Sequence, residues 1–493
     1  MDFKEFYQQC GLKEYPFNTF TTEDEAKANE LFVEPVDYTL IKDGYKNQRT
    51  IIMSGNRGTG KTAIVYDLIR NSPNDTLICY IDDYSSINTK STLQEFYELI
   101  AKSLVNTLFE KSLNRQRHLK KLSKEDKIFF SFLVDKFVTP ITKQLVFEKI
   151  EQIQLGKLKC FFNKSSSFIQ FFINYGLTAA IKMLNNTIAV HFYMLPPVNE
   201  DEIKTILPSI KFTPDNHFID EETSYSFILK ICQLINKLGF SNTITFLDKI
   251  DEDTRFENDS DIIADFVKPL LTDNKLLLNP NIQLVTSIWA VPFSNIKANV
   301  RTQKYYCPEL IWQQRDLISA FNQRLKVFGA NSYLNFDSLF SVDVTDNQKE
   351  EVIKLANHNP RDLWHIYNNL FHQQFIINET AKTISSSAVL NGLNEFVKTF
   401  NYFEYYPRKK GARSSSMDIY KYINHLLKLS SFDFTSNQLN EVGVGSSTNN
   451  YIAGMQSIGL IRRTDIKRNN GVVYEIIDPK VIYAMEKQIK ISR

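Results

Sequence analysis

Hydrophobic and polar positions along the chain fall into stretches of different period. An apolar run, Thr50–Ser54, gives way to a glycine-rich octet, and apolar spacing resumes at Ala63–Ile69. That order predicts strand, loop and helix. A second apolar run at Thr76–Asp83 predicts the next strand, and so the start of a parallel α/β sheet. From about 88 to 240 apolar residues recur at helical steps, as in LQEFYELIAKSLVNTLF. A lean α/β core uses far fewer residues between strands, so most of this stretch is expected to be a helical insertion. Strand patterns return at Asn242–Asp253 and Asn281–Val291, and a helical pattern runs from about Pro308 to Phe400. The Pro-, Gly- and Ser-containing charged stretch Tyr405–Ser416 predicts a linker. After it come two short helical patterns and two strand-like runs around Asn470-Gly471, a strong hairpin signal.

Composition narrows this picture only modestly. The 493 residues are 43% hydrophobic and 23% charged, which fits a globular chain of several domains. A net charge of +2 excludes a polyelectrolyte binder, so any nucleic-acid surface must be local. Cys10, Cys79, Cys160, Cys232 and Cys307 are scattered and form no C-x-x-C pair. This argues against a disulfide framework or zinc site and for a reducing, cytoplasmic setting. The start, MDFKEFYQQCG, lacks the pattern of a secretory signal. The most apolar segment, Phe168–Leu184, is interrupted by Gln170, Asn174 and Lys182, so no membrane span or membrane partner is expected.

The octet carries the chemistry. Gly55-Asn56-Arg57-Gly58-Thr59-Gly60-Lys61-Thr62 spells G-x-x-x-x-G-K-T. Glycines let successive N–H groups turn inward on phosphate oxygens, and the following helix aims its positive end at the same point. Lys61 suits the β- and γ-phosphates, and the Thr62 hydroxyl suits Mg²⁺. Asp248, closing an apolar strand, is the expected partner for the metal. Asp251 or Glu252 just beyond it would orient or deprotonate water. The guanine-selective N-K-x-D sequence is absent, and its nearest match, Asn236–Gly239, ends in glycine. ATP is therefore expected as the nucleotide.

Together, GNRGTGKT, ITFLDKIDE, LVTS and NHNPRDL resemble the STAND and origin-recognition-initiator branch of the AAA+ P-loop ATPases. The lead-in YPFNTFTTEDEAKANELFVEP is similar to the preface of bacterial members of that branch. The resemblance implies an α/β P-loop NTPase core, a parallel sheet flanked by helices, over 1–310. It further implies a helical lid over 311–400 and a C-terminal winged helix-turn-helix over 414–493. Thr286 or Ser287 would be the polar sensor, Arg361 would reach the γ-phosphate from the lid, and Arg301 would act across a subunit interface, with Arg315 and Arg324 as alternatives. Typical AAA+ proteins place a glutamate directly after the metal-binding aspartate, whereas here Lys249 follows Asp248, and the spacing Asp248–Asp251–Glu252 resembles the STAND pattern more closely.

Two basic clusters stand apart: Arg408, Lys409, Lys410 and Arg413 in the linker, and Arg462, Arg463, Lys467 and Arg468 on the expected wing. Either would suit the phosphates of DNA or RNA. The basic run Lys111–Lys127 reads as an exposed helix face. His358, His365 and His372 recur every seven residues. On a helix that places neighbours about 10 Å apart, too far for one metal. The expected function is an ATP-driven switch acting with a homo-oligomer or effector partner, in a bacterial defence system by resemblance. The alternatives are a DNA-binding initiator-like ATPase and a non-hydrolysing nucleotide-binding scaffold.

Overall fold

The computed structural model describes residues 2–142, 144–145, 202, 205–207, 220–330, 333–411, 416–444, 447–468 and 471–492. Its centre is a five-stranded sheet of β1 (Ile51–Gly55), β2 (Thr76–Ile81), β3 (Asn242–Leu247), β4 (Gln283–Trp289) and β5 (Glu309–Leu310), in the spatial order β2-β3-β4-β1-β5. Every pairing is parallel. All strand ends therefore point one way, and β4 lies between the phosphate-loop strand β1 and the acidic strand β3. β1 and β4 are buried at every residue, as a sheet covered on both faces requires.

Helices cover both faces. Tyr38–Lys46 and Lys61–Arg70 bury Tyr38, Ile41, Ile64 and Leu68 against one. Leu93–Ser112, Glu221–Lys237 and Ser260–Leu271 bury an apolar stripe against the other. Leu93–Ser112 also packs on β2 and on Glu221–Lys237, so both ends of the 88–240 stretch belong to the sheet's helical layer. Phe168–Leu184 and Cys160 lie outside the described residues. No helix among the described residues is long and apolar enough to cross a membrane.

A separate core joins the helices Gln314–Phe328, Asp346–Leu355, Pro360–Ile377 and Ser386–Thr399 to the C-terminal elements. The first residues of the chain belong here too: Phe6 and Phe17 pack among Phe321, Tyr367 and Phe371. The C-terminal elements run helix Ile419–Leu426, β6 (Asp433–Thr435), helix Ser436–Leu439, helix Thr448–Ser457, β7 (Ile461–Arg468), β8 (Gly471–Ile476) and helix Pro479–Glu486. β7 and β8 pair antiparallel around the expected hairpin, whose Asn470 lies outside the described residues.

The Tyr405–Ser416 stretch departs from a free linker at its head. Tyr405 and Tyr406 are buried in the second core. Lys409 pairs with Asp261, Lys410 lies 3.7 Å from Glu257, and the Lys410 N–H donates to Asp259 at 2.8 Å. Burial of the two rings and these acidic partners pin the segment to the start of helix Ser260–Leu271. Arg413 lies outside the described residues. The histidines also separate. His358 precedes helix Pro360–Ile377 in a left-handed conformation, its ring nitrogen 2.6 Å from the Trp312 carbonyl. His365 stacks on Phe20 and His372 lies beside Phe3.

Candidate functional site

The loop after β1 turns by way of Gly58 and Gly60, at φ +82° and +83°. Both are left-handed positions that disfavour side chains. Space is closed as well: a Cβ on Gly58 would meet Asn359 Oδ1 at 2.6 Å, and one on Gly55 would meet Thr59 Oγ1 at 2.7 Å. Thr59 Oγ1 donates to the Asn56 carbonyl at 2.8 Å, and Trp312 Nε1 donates to the Thr59 carbonyl at 2.9 Å. The loop is thus braced from inside and from the neighbouring helical region. Lys61, at the start of its helix, donates to the Gly55 and Asn56 carbonyls, each at 3.0 Å. Burial lowers its pKa, Asp251 and Asp248 oppose that shift, and Arg57 and Arg361 add to it.

Across β4, Asp248 is buried at the end of β3. Its carboxylate accepts from Ser287 Oγ, and from Tyr80 Oη at 3.2 Å; its carbonyl accepts from Tyr84 Oη at 3.0 Å. Of the two sensor candidates, Ser287 meets Asp248. Thr286 is fully buried, with a hydroxyl that has no hydrogen-bond partner among the described residues. Strand alternation separates them, since adjacent side chains face opposite sides of a sheet.

The two carboxylates beyond Asp248 differ in their freedom. Asp251 is buried and accepts from Arg57 Nε at 2.8 Å, while the other Arg57 fork donates to the Asp251 carbonyl at 2.8 Å. The same guanidinium lies 4.5 Å over the Trp289 ring. Glu252 is exposed on the cavity rim. Desolvation raises its pKa, the Asp251 charge adds to the rise, and Lys249 counteracts it. Lys249 occupies a left-handed position at φ +58° and pairs with Glu23 at 2.8 Å, tying the lead-in to the acidic loop.

Arg361 enters from the first turn of helix Pro360–Ile377. It lies 3.8 Å from Glu404, and its buried Nε has no hydrogen-bond partner among the described residues. The helix cap, Asn359, accepts from the Arg361 N–H at 3.0 Å and donates to the Arg57 carbonyl and Tyr405 Oη, each at 2.6 Å. Tyr405 Oη donates to Asp362 at 2.6 Å, and Asp362 accepts from Lys480 Nζ at 3.2 Å. Asp478 lies 3.8 Å from Lys480, accepts from Tyr406 Oη at 2.9 Å, and caps the last helix through the Lys480 N–H at 2.8 Å. A continuous buried chain of polar contacts thus runs from the phosphate loop to the final helix. Asn359 and Asp362 lie within NHNPRDL, but no short motif marks Tyr405 or Lys480.

Lys61, Thr62, Asp248, Asp251, Glu252 and Arg361 all line one cavity of about 750 Å³. Arg57, Gly58 and Gly60 border it, and the lead-in residues Thr19–Glu25 and Leu31–Val33 form its opposite wall. Arg301 is exposed and lies outside the cavity lining, and Arg315 is exposed too. Arg324 borders the cavity but is buried and bonded to Glu25 at 2.6 Å.

No protein-family model matches the chain, and no curated protein matches it. A solved structure described as Drosophila ORC bound to DNA aligns over 98% of this chain and 91% of that one, at 10% identity and a TM-score of 0.29. A score that low supports no inference about this chain.

Proposed function

We propose that the chain is an ATP-binding and ATP-hydrolysing switch. The observation that supports this best is the convergence of Lys61, Thr62, Asp248, Glu252 and Arg361 on one cavity. The residues fit the nucleotide and its metal. The glycine loop turns through two left-handed positions, Gly58 and Gly60, that both line the cavity, and Asp248 is a buried carboxylate oriented by Ser287 and Tyr80. Thr62 and Asp248 would hold Mg²⁺, and Phe32 and Val33 offer an apolar wall for a base. Bound ATP with Mg²⁺ supplies the phosphoanhydride to be cleaved and the divalent charge that offsets its phosphates.

The chain's own residues do the rest. Lys61 is the cation that exchanges two loop carbonyls for phosphate oxygens. Glu252 is the better candidate base: its carboxylate has no hydrogen-bond or ion-pair partner among the described residues, and its raised pKa moves it toward the range useful for accepting a proton from water. Asp251 has its carboxylate committed to Arg57 and serves to position the loop. Arg361, with an unused Nε–H, would bind the terminal phosphate and draw helix Pro360–Ile377 toward it. The 311–400 helices are then a lid.

A switch is favoured over simple storage of nucleotide by the polar chain from Arg57 through Asn359, Tyr405 and Asp362 to Lys480. Movement of the loop or of Arg361 must disturb Asn359, which touches both. We read the C-terminal helices and hairpin as a winged helix-turn-helix that receives this change and acts on a protein or nucleic-acid partner. Arg463 and Lys467 are exposed and form no ion pair among the described residues, which keeps the initiator-like reading open. Arg301, exposed beside the core, is the candidate to complete a neighbouring copy's site.

ATP turnover, measured with and without duplex DNA, tests the reading. Wild type is expected to hydrolyse ATP, and Lys61→Ala to lose turnover. Stimulation by DNA that disappears in Arg463→Glu/Lys467→Glu would favour the initiator-like reading. ATP binding without turnover under either condition would leave a scaffold.

A further inference from the structure

At the opposite end of the sheet from the nucleotide cavity lies a second concavity, of about 670 Å³. It is lined by Asn74 before β2, Phe240 before β3, and residues of the segment 111–118. The cavity of Lys61 and Asp248 sits instead where β1 and β3 end. β2 spans Thr76–Ile81, so the two sites lie roughly 20 Å apart at about 3.3 Å per residue.

This concavity is basic in a way the rest of the chain is not. Residues 111–127 carry seven lysines and arginines against two carboxylates, while the whole chain nets only +2. Arg115 forms the floor. Its guanidinium lies 4.4 Å over the Phe240 ring and donates to the Gly239 and Asn74 carbonyls, each at 3.2 Å. A guanidinium has five N–H donors, so donors remain after those two bonds. Gln116 is also in the lining, and its buried Nε2 has no acceptor among the described residues. A buried amide N–H without an acceptor is costly, and rotation of the amide toward a ligand oxygen in the concavity would remove that cost. Lys111 and Arg117 line the concavity, and Lys120 and Lys121 follow Arg117 by one turn of the helix Gln116–Lys121; all four are exposed and form no ion pair among the described residues. Nearby cations are occupied: Lys237 by Asp126 at 2.7 Å, and Lys127 by the Lys120 carbonyl at 3.1 Å.

We propose that this concavity and its rim bind the phosphodiester backbone of a nucleic acid, at a site separate from the nucleotide cavity and from the β7–β8 hairpin. Together these four cations, two in the lining and two a helical turn away, exceed what one phosphate group can engage, whereas a nucleic-acid strand presents a charge at every nucleotide. The face of Phe240 is already covered by Arg115 and is closed to base stacking. Recognition is therefore of backbone and not of sequence. The inference does not depend on the nucleotide reading, since none of its residues line the first cavity.

The test is titration of a fluorescein-labelled 20-base-pair duplex with the full chain over a range of NaCl concentrations, without ATP. Arg117→Glu/Lys120→Glu/Lys121→Glu is compared with wild type. The same comparison is made in an Arg463→Glu/Lys467→Glu background, so that hairpin cations cannot mask the effect. The three substitutions are on exposed side chains, and an unchanged thermal melt verifies the fold. Affinity is expected to fall at least about 10-fold near 0.1 M salt, and the salt slope to flatten by about 2 to 3, at roughly 0.9 for each phosphate no longer neutralised. Gln116→Leu should weaken binding several-fold without changing the slope. Poly-glutamate at equal charge should displace the duplex poorly. Wild-type affinity and slope in the triple variant in both backgrounds would overturn the proposal. So would displacement by poly-glutamate as effective as that by unlabelled duplex, which would mark an acidic-protein surface.

Discussion

Lys61 and Lys480 are each flanked by two aspartates, yet the surroundings give them opposite characters. Lys480 is fully buried, bonded to Asp362 at 3.2 Å, 3.8 Å from Asp478, and 4.4 and 4.5 Å above the Phe400 and Tyr405 rings. Its carboxylates close upon it. Near Lys61 the carboxylates have other partners: Asp251 is held by Arg57 and Asp248 by Ser287. Lys61 is left with two loop carbonyls and a face on a cavity. The difference teaches how one charge pattern serves two ends. A cation whose counter-ions are committed elsewhere is available to a ligand; one enclosed with its counter-ions fixes how two helices meet.

The comparison can be broken at either lysine or along the chain that joins them. The largest stability effect is expected at Lys480→Met, about 3–5 kcal/mol, because two buried carboxylates lose their cation. Urea unfolding at neutral pH measures it. Burial already raises the Asp362 pKa, against the pull of Lys480 and Tyr405. Without Lys480 the folded state should therefore take up a proton more readily than the unfolded one, and the deficit should shrink as pH falls. A variant as stable as wild type would show that the cluster is not structural.

Next is Glu252→Gln, expected to reduce ATP turnover by about 100-fold with ATP binding retained. Asp251→Asn should instead disturb the loop, weakening binding and turnover together. Equal effects from both would erase the distinction between a free and a committed carboxylate.

Asn359→Ala removes a helix cap and a hydrogen bond to the phosphate loop, and should cost about 1–2 kcal/mol. Its sharper readout is hydrogen exchange in Pro479–Glu486. ATP should alter protection there in wild type and not in Asn359→Ala. The same response in both would sever the proposed route between the two lysines.

The smallest effect concerns His365, one turn from Arg361 on helix Pro360–Ile377. Burial, reinforced by the Arg361 charge, lowers its pKa to about 4. The folded state thus binds fewer protons than the unfolded state between about pH 6.5 and 4, and stability falls as pH drops through that window. Allowing for solvent screening, His365→Gln should lessen the loss between pH 7 and pH 5 by about 1 kcal/mol.

What could be read from the sequence follows from which contacts are local. The turn of the glycine-rich loop was legible because backbone freedom is written as glycine: Gly58 and Gly60 both take positive φ. Asp248 was legible as a carboxylate closing an apolar strand. Its supports were not, since Tyr80 lies 168 positions away. The Arg57–Asp251 bond spans 194 positions and the Asn359–Arg57 bond 302, and neither leaves a local pattern. At Tyr405–Ser416 the Pro, Gly and cation content suggested a linker, but the two leading tyrosines anchor it in the core. The helix Ser436–Leu439 has only 4 residues, too few to show helical periodicity.

Calorimetric titration of ATP with Mg²⁺ into the full chain, compared with Lys61→Ala, tests the central claim most directly. Saturable one-site binding by wild type, weakened at least about 100-fold in a Lys61→Ala protein of unchanged melting temperature, or roughly 3 kcal/mol, is the predicted result. Equal binding by both proteins, or none by wild type, would contradict the assignment of this cavity to a nucleotide.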